Sequence, residues 1–320
     1  MICSRIKTRA RDMQAVPAIE AEDEEVEGTN GDSESGYESE GFENGRRYHR
    51  FRQGQEMKHA MVLAACEDKL HFAPLGKNPV RVVDLGPGVG SWCIDFGDKY
   101  PGAHVLGIDL SPHQPQWVPP NVKFMVEDAE DEWLNPEDYF DSINARHMTY
   151  AIKDYPKLLS QALKHLKPGA YIEFQELNYR PECDDDSMPK DWRLAEYIGY
   201  VRQGLANLGL DLHRAAKLAT EVRYAGFVNV EERVIKVPIG SWAKDKLLKT
   251  VGSYLQAIIL DGFQQGGYGP LCRGLGWSKE KVEIYLSEVR NAAKDSRVHA
   301  YYELYIIFGQ KPGAAAATMA

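Results

Sequence analysis

From about residue 56 onward, the apolar positions follow two alternating rhythms. Short Val-, Ile- and Leu-rich runs at Arg81–Leu85, His104–Asp109, Val122–Val126 and Phe140–Ala145 read as buried strands. Stretches with apolar residues three and four apart read as helices. The first is Glu56–Leu70, with Met57, Ala60, Met61, Ala64 and Ala65 along one side, followed by Ser91–Lys99 and Tyr155–Leu166. Lys167-Pro168-Gly169 is expected to stop that last helix and reverse the chain into a fifth strand, Tyr171–Glu176. Strands alternating with helices predict an α/β fold built on a doubly wound, mostly parallel sheet. Right-handed crossovers then put helices on both of its faces.

The rhythm changes after Arg180. Helices are expected at Trp192–Leu208, Leu212–Ala225, Ala243–Gln264 and Ser278–Ser296, around strands at Val228–Val237 and His299–Gly309. The run Gly266-Gly267-Tyr268-Gly269-Pro270 reads as a link between two of these helices. The helical stretches, about 180–225 and 243–296, read as a lid insertion rather than a second domain. Trp242, Tyr254, Phe263, Tyr268 and Trp277 are expected mostly in the core, with one or two left to line an apolar substrate pocket. Residues 1–43 show no hydrophobic periodicity and are expected to be disordered, as is the tail 313–320. One ordered domain is expected over 44–312.

Charge sharpens that division. The chain of 320 residues carries a net charge of −9, but Glu20 to Glu43 holds eleven acids and no Lys or Arg. Setting those eleven aside leaves a body near +2, so this is a near-neutral domain behind an acidic leader. The leader reads as a solvated tail or as an arm for a protein partner. The run Arg46-Arg47-Tyr48-His49-Arg50-Phe51-Arg52 mixes basic and aromatic residues as nucleic-acid surfaces do. The acidic leader and the near-neutral body argue against that partner. Five widely spaced cysteines without a Cys-x-x-Cys point to reduced thiols, with no disulfide scaffold and no zinc site. No secretory h-region is evident, and no apolar run approaches the ~18–20 residues that span a bilayer, so a cytoplasmic or nuclear location is expected.

The candidate chemistry sits at the strand ends. Asp84-Leu85-Gly86-Pro87-Gly88-Val89-Gly90 joins the first strand to a helix through a glycine-rich turn, and Asp109 closes the second strand. A pyrophosphate wants bare N–H groups at a helix N-terminus, and an acid at Asp84 suits it poorly. That acid suits an ammonium, so the reading turns from a dinucleotide towards S-adenosylmethionine (SAM), which has no phosphate. Gly86, Gly88 and Gly90 then let the backbone approach the amino-acid tail. Asp109 offers acceptors to two ribose hydroxyls. Asp128 can accept from an adenine amino group, and Ala129 can give a backbone N–H to a ring nitrogen. Leu110 and Arg146 complete the expected cofactor set.

On these motifs, together with Glu43-Asn44-Gly45-Arg46-Arg47-Tyr48-His49, Lys69-Leu70-His71-Phe72-Ala73-Pro74, Ser91-Trp92, Asp109-Leu110-Ser111-Pro112, Trp117-Val118-Pro119-Pro120-Asn121 and Glu127-Asp128-Ala129-Glu130-Asp131-Glu132-Trp133, the chain resembles the class I SAM-dependent methyltransferases. More narrowly, it resembles the fungal LaeA-like methyltransferases of secondary metabolism. The resemblance covers about Glu43 to Pro312. It implies a Rossmann-like, seven-stranded sheet whose last strand is antiparallel. It also implies a small-molecule methyl acceptor, or a regulatory role exercised through protein partners. A SAM-binding catalyst that transfers no methyl group is a third reading.

Methyl transfer needs a base only where the nucleophile holds its proton. His147, after the fourth strand, is the candidate general base; the alternative is a histidine bonded to nearby backbone. Glu176, ending the fifth strand, is a candidate to bind an amine or take a proton, or else a solvated strand-end acid. The resemblance favours Tyr48 as a lid residue over the cofactor, against a staple to the first helix.

Overall fold

The computed structural model describes residues 16–21, 48–76 and 78–313, with the side chains of 48–53 and of Gln265 outside the description. In chain order the elements are α1 (Tyr48–Ala65), β1 (Arg81–Leu85), α2 (Ser91–Lys99), β2 (His104–Asp109), β3 (Val122–Val126), β4 (Phe140–Arg146) and α3 (Tyr155–His165). They continue with β5 (Leu166–Cys183), α4 (Arg193–Asn207), α5 (Ala215–Tyr224), β6 (Val228–Pro238), α6 (Lys246–Tyr268), a π-turn (Gly269–Gly274), α7 (Lys279–Ala293) and β7 (Ala300–Gln310).

The strands form one seven-stranded sheet in the order β3-β2-β1-β4-β5-β7-β6. Strands β1 to β5 pair in parallel, and β7 runs antiparallel between β5 and β6. The strand order reverses between β1 and β4, so the carboxyl ends of these two strands open a crevice.

The period-2 alternation of the strands sends neighbours to opposite faces. Val83 and Ile307 pack with α3 and α5 (Leu158, Leu159, Leu218, Val222). Val82 packs with Trp92, Cys93 and Phe96 of α2. Farther along that second face, Tyr302, Leu304 and Ile306 meet α1, α4, α6 and α7 through Met61, Tyr197, Leu255 and Leu286. Of the stretches expected as a lid, α5 therefore belongs to the sheet's own layer, whereas α4, α6 and α7 build on α1.

Four expectations are corrected. Residues Gly266–Pro270 are not a link: α6 runs through Tyr268 and continues as the π-turn. A side chain at Gly204 of α4 would collide with the backbone of Pro270, and one at Gly267 with the Tyr197 hydroxyl. Gly204 lets two helical segments touch backbone to backbone and Gly267 lets the Tyr197 hydroxyl approach α6, which outweighs their low helix propensity.

Lys167-Pro168-Gly169 does not reverse the chain either. Strand β5 starts at Leu166, directly after α3, and the tripeptide is a bulge at its start. Gly169 sits at φ +83° and donates to Lys311 O (2.9 Å), while Lys167 Nζ holds Asp141 (2.8 Å). A proline, lacking an N–H, is accommodated at such a bulge.

The leader is not wholly without structure. Ala21 bridges Ala243, Lys244 donates to Glu20 O (2.9 Å), and Ile19 and Ala21 pack on the Trp242–Tyr301 cluster. Ile19, just before the acidic stretch, and Ala21, within it, supply the apolar contacts of this segment. Residues 1–15 and 22–47 and the tail 314–320 lie outside the described residues. The first helix also begins earlier and ends sooner than its expected 56–70.

Candidate active site

A cavity of about 400 Å³ opens at the carboxyl ends of β1, β2 and β4. Its floor is the glycine-rich turn. Gly86, Gly88 and Gly90 lie at φ +70°, +59° and +85°, a path that L side chains avoid. Gly86 and Gly88 line the cavity. Gly90 does not: it precedes α2, where a side chain would strike the Phe124 ring.

Asp84 is buried at the end of β1. One carboxylate oxygen accepts from Asn144 Nδ2 (2.7 Å), the other from Cys93 Sγ (3.3 Å). Burial pushes its carboxyl up to about 6, against the pull of Asn144 and the Arg146 charge. At neutral pH it is a buried anion facing the cavity wall.

Asp109 braces the floor from the end of β2. Its Oδ2 accepts from Gly88 N (3.0 Å) and its Oδ1 from Ser111 N (3.0 Å). An ionised carboxylate has about four acceptor positions, so about two remain for a ligand. Gln114 tightens the same loop, donating to Gly88 O (2.7 Å) and Ser111 O (3.1 Å). Asp128, Ala129 and the exposed Leu110 line the cavity at the β3 side. Asp128 Oδ1 accepts from Glu130 N (2.9 Å), which fixes the turn that carries it.

The end of β4 carries unspent polar capacity. Asn144 Oδ1, Arg146 Nε and Nη2, and both ring nitrogens of His147 are buried with no hydrogen-bond partner among the described residues. Arg146 and His147 line the cavity, and orphaned donors and acceptors there mark a place for a polar ligand. His147 stands in the left-handed region at φ +57° and donates its backbone N–H to Gln175 O (3.1 Å). Burial, with Lys58 and Arg146 nearby, holds its imidazole well below the usual histidine value, so the ring is neutral at physiological pH.

Of the candidate residues read from the sequence, the cavity gathers Asp84, Gly86, Gly88, Asp109, Leu110, Asp128, Ala129, Arg146 and His147. It does not gather Glu176. That carboxyl is buried behind the wall, accepting from Met148 N (2.7 Å) and Thr149 N (3.3 Å). Burial pushes it up to about 8. It holds the 147–149 turn in shape and has no face towards a substrate. Tyr48 opens α1, and its side chain lies outside the described residues. None of Trp242, Tyr254, Phe263, Tyr268 and Trp277 lines the cavity; they pack in the α1–α4–α6–α7 core or under the leader segment.

The sequence reading missed α1 as a wall. Gln55, Lys58 and His59 line the cavity from that helix. Their spacing of three and four does put them on one face, but a polar stripe on a helix reads as solvated unless something is known to lie across from it.

SAM presents an ammonium, a carboxylate, two ribose hydroxyls and an adenine edge. The lining offers complements to these groups: carboxylates at Asp84, Asp109 and Asp128, a guanidinium at Arg146 and a backbone amide at Ala129. No pyrophosphate cradle is needed, and two acids stand where one would have to go.

A family profile described as "Methyltransferase domain" matches residues 50–232. The chain is 32% identical over 285 residues to methyltransferase pytC of Aspergillus terreus, covering 85% of this chain and 88% of that one. It is 32% identical over 293 residues to the secondary metabolism regulator LAE1 of Cochliobolus heterostrophus, covering 85% and 94%. Among solved structures, the phosphoethanolamine N-methyltransferase 2 of Haemonchus contortus with SAM superposes at a TM-score of 0.48 and 17% identity. That match covers 83% of this chain and 56% of the other, so the chain spans little more than half of that protein.

Proposed function

The chain belongs to the SAM-dependent methyltransferases, and from that premise we propose that it methylates an oxygen or nitrogen nucleophile of a small-molecule secondary metabolite. The carrying observation is His147, a neutral imidazole on the wall of the cavity whose two ring nitrogens have no partner among the described residues.

When bound, SAM supplies a sulfonium-borne methyl group open to in-line displacement. The protein's residues do the rest. Asp84, Asp109 and Asp128 fix the donor at three separated points, which converts the reaction into one of orientation. Gln55, Lys58 and His59 of α1 roof the cavity and limit water. For a hydroxyl acceptor, an imidazole nitrogen of His147 would take the hydroxyl proton as the acceptor oxygen receives the methyl group. A histidine held this far below its usual value is a weak base. It takes the proton as the new bond forms rather than beforehand. An amine that is already neutral needs no such help.

The acceptor class rests on pytC, a methyltransferase, and on relatives named as regulators of secondary metabolism. The second group supports another reading, a regulator that works in the nucleus through protein partners, with the acidic leader as the contact arm. Among the described residues no helix is long and apolar enough to cross a membrane. Both readings carry a cytoplasmic or nuclear site of action.

Purified protein incubated with methyl-labelled SAM and fractionated fungal metabolites separates them. Label in a metabolite, reduced at least tenfold in H147N if the acceptor is a hydroxyl, supports the enzyme. SAM binding without transfer to any metabolite fraction, together with partner binding that is lost on deleting residues 1–43, supports the regulator.

A further inference from the structure

Arg146 is a cation whose Nε and Nη2 are buried and whose side chain makes one hydrogen bond among the described residues. Its Nη1 donates to His59 Nδ1 (2.9 Å), and His59 Nε2 in turn donates to Asp95 Oδ2 (2.8 Å). The chain of contacts fixes the His59 tautomer: the Nδ1 lone pair faces the guanidinium and the proton sits on Nε2, towards the carboxylate. It joins three elements distant in sequence, α1, α2 and the end of β4. The remaining Arg146 nitrogens, Nε and Nη2, have no partner among the described residues. A guanidinium wants its donors in pairs on a planar anion, and leaving two of them dry and unbonded is costly.

Asp84 and Arg146 line the same cavity as His59. One buried carboxylate beside one buried guanidinium is the charge complement of an amino-acid zwitterion. We propose that Arg146 is the seat of the cofactor's α-carboxylate, and that His59 is a positioning residue, braced by Asp95, that sets the guanidinium for it. The proposal deepens the cofactor reading and rests on it. Its consequence is that helix α1 does more than roof the cavity. It selects for a donor carrying an intact amino-acid end, because the residue that aims Arg146 is part of α1.

The test compares two ligands in the full chain by calorimetry: S-adenosylhomocysteine, and its decarboxylated analogue S-adenosyl-3-thiopropylamine, which keeps the ammonium and lacks only the carboxylate. Wild type should prefer the first. H59F removes both hydrogen bonds at similar bulk and should cut that preference about tenfold, leaving the analogue's Kd within about twofold. H59N, whose amide oxygen replaces the Nδ1 acceptor, should restore most of it. D95N reads the same brace from its other end and keeps the test open if H59F does not fold.

An unchanged preference in H59F and D95N overturns the proposal. So does an equal weakening of both ligands, which is what a merely structural histidine would give. R146Q separates the layers. If it binds both ligands and keeps the preference, the carboxylate lies elsewhere. If wild type binds neither ligand, the cofactor reading itself fails.

Discussion

Replacing Asp109 by alanine removes a side chain that braces the glycine-rich turn and that we assign to the ribose hydroxyls. Two of its acceptor positions are used by Gly88 N and Ser111 N, each at 3.0 Å. The other two are what a vicinal diol requires. Hydrogen bonds to an ionised acceptor contribute ~1.5–3 kcal/mol each, and the cavity is open enough to favour the low end, so two together amount to about 3 kcal/mol. That is a loss of about 100-fold in affinity. The floor amides can turn to water at the cavity surface, so the cost to folding should be smaller, about 1–2 kcal/mol. Calorimetric titration of D109A with S-adenosylhomocysteine measures the first quantity, and a urea midpoint the second. Because the ribose is common to all adenosyl ligands, the decarboxylated analogue should lose affinity by the same factor, in contrast to the H59F pattern. A D109A protein with an unchanged midpoint and less than threefold weaker binding would refute the ribose assignment and, with it, the placement of the adenosyl group over β2.

Three further outcomes follow from the same geometry. Asp84, held up near 6, must be ionised to meet an ammonium, so affinity for S-adenosylhomocysteine should fall about tenfold per pH unit below about pH 6, while D84N binds weakly with no such slope; parallel pH profiles would sink the assignment. Glu176 titrates near 8 in the fold against an ordinary 4.5. Its contribution is therefore fully present below pH 4.5 and fades as pH rises through 8; urea midpoints from pH 5 to 8.5 should drop more in wild type than in E176Q. G204A drives a methyl group into the Pro270 backbone and should cost about 1–3 kcal/mol, whereas G199A, an exposed α4 position with nothing within 4 Å, should gain about 0.5–1 kcal/mol; equal effects at the two sites would show that α4 and the π-turn are not in close contact.

The alternation of strand and helix was legible in the sequence because it is written in local terms. Val82–Leu85, Val105–Ile108 and Ile143–Ala145 carry the apolar runs of strands buried on both faces. The acids at 84, 109 and 128 follow their strands or end them. Glycines at 86 and 88 mark a turn that only they take comfortably. Cofactor class followed, because an acid in place of a bare amide cradle is a statement about ligand charge that one peptide segment can make.

What the sequence could not settle depends on partners far along the chain. Gly266–Pro270 has the composition of a loop and becomes helix only because Gly204 and Tyr197 lie against it. Glu176 has the position of a catalytic acid, yet its oxygens are taken up by two amides of a turn about thirty residues earlier in the chain. Gln55, Lys58 and His59 look like the solvated side of a helix until α1 is laid across the sheet, 87 residues from the arginine that His59 touches. Local propensity and charge sequence fix the strands, the turn and the kind of ligand. Which side chains then face that ligand is decided by close packing, since only the folded arrangement determines whether a polar group meets water, a backbone amide or the cavity.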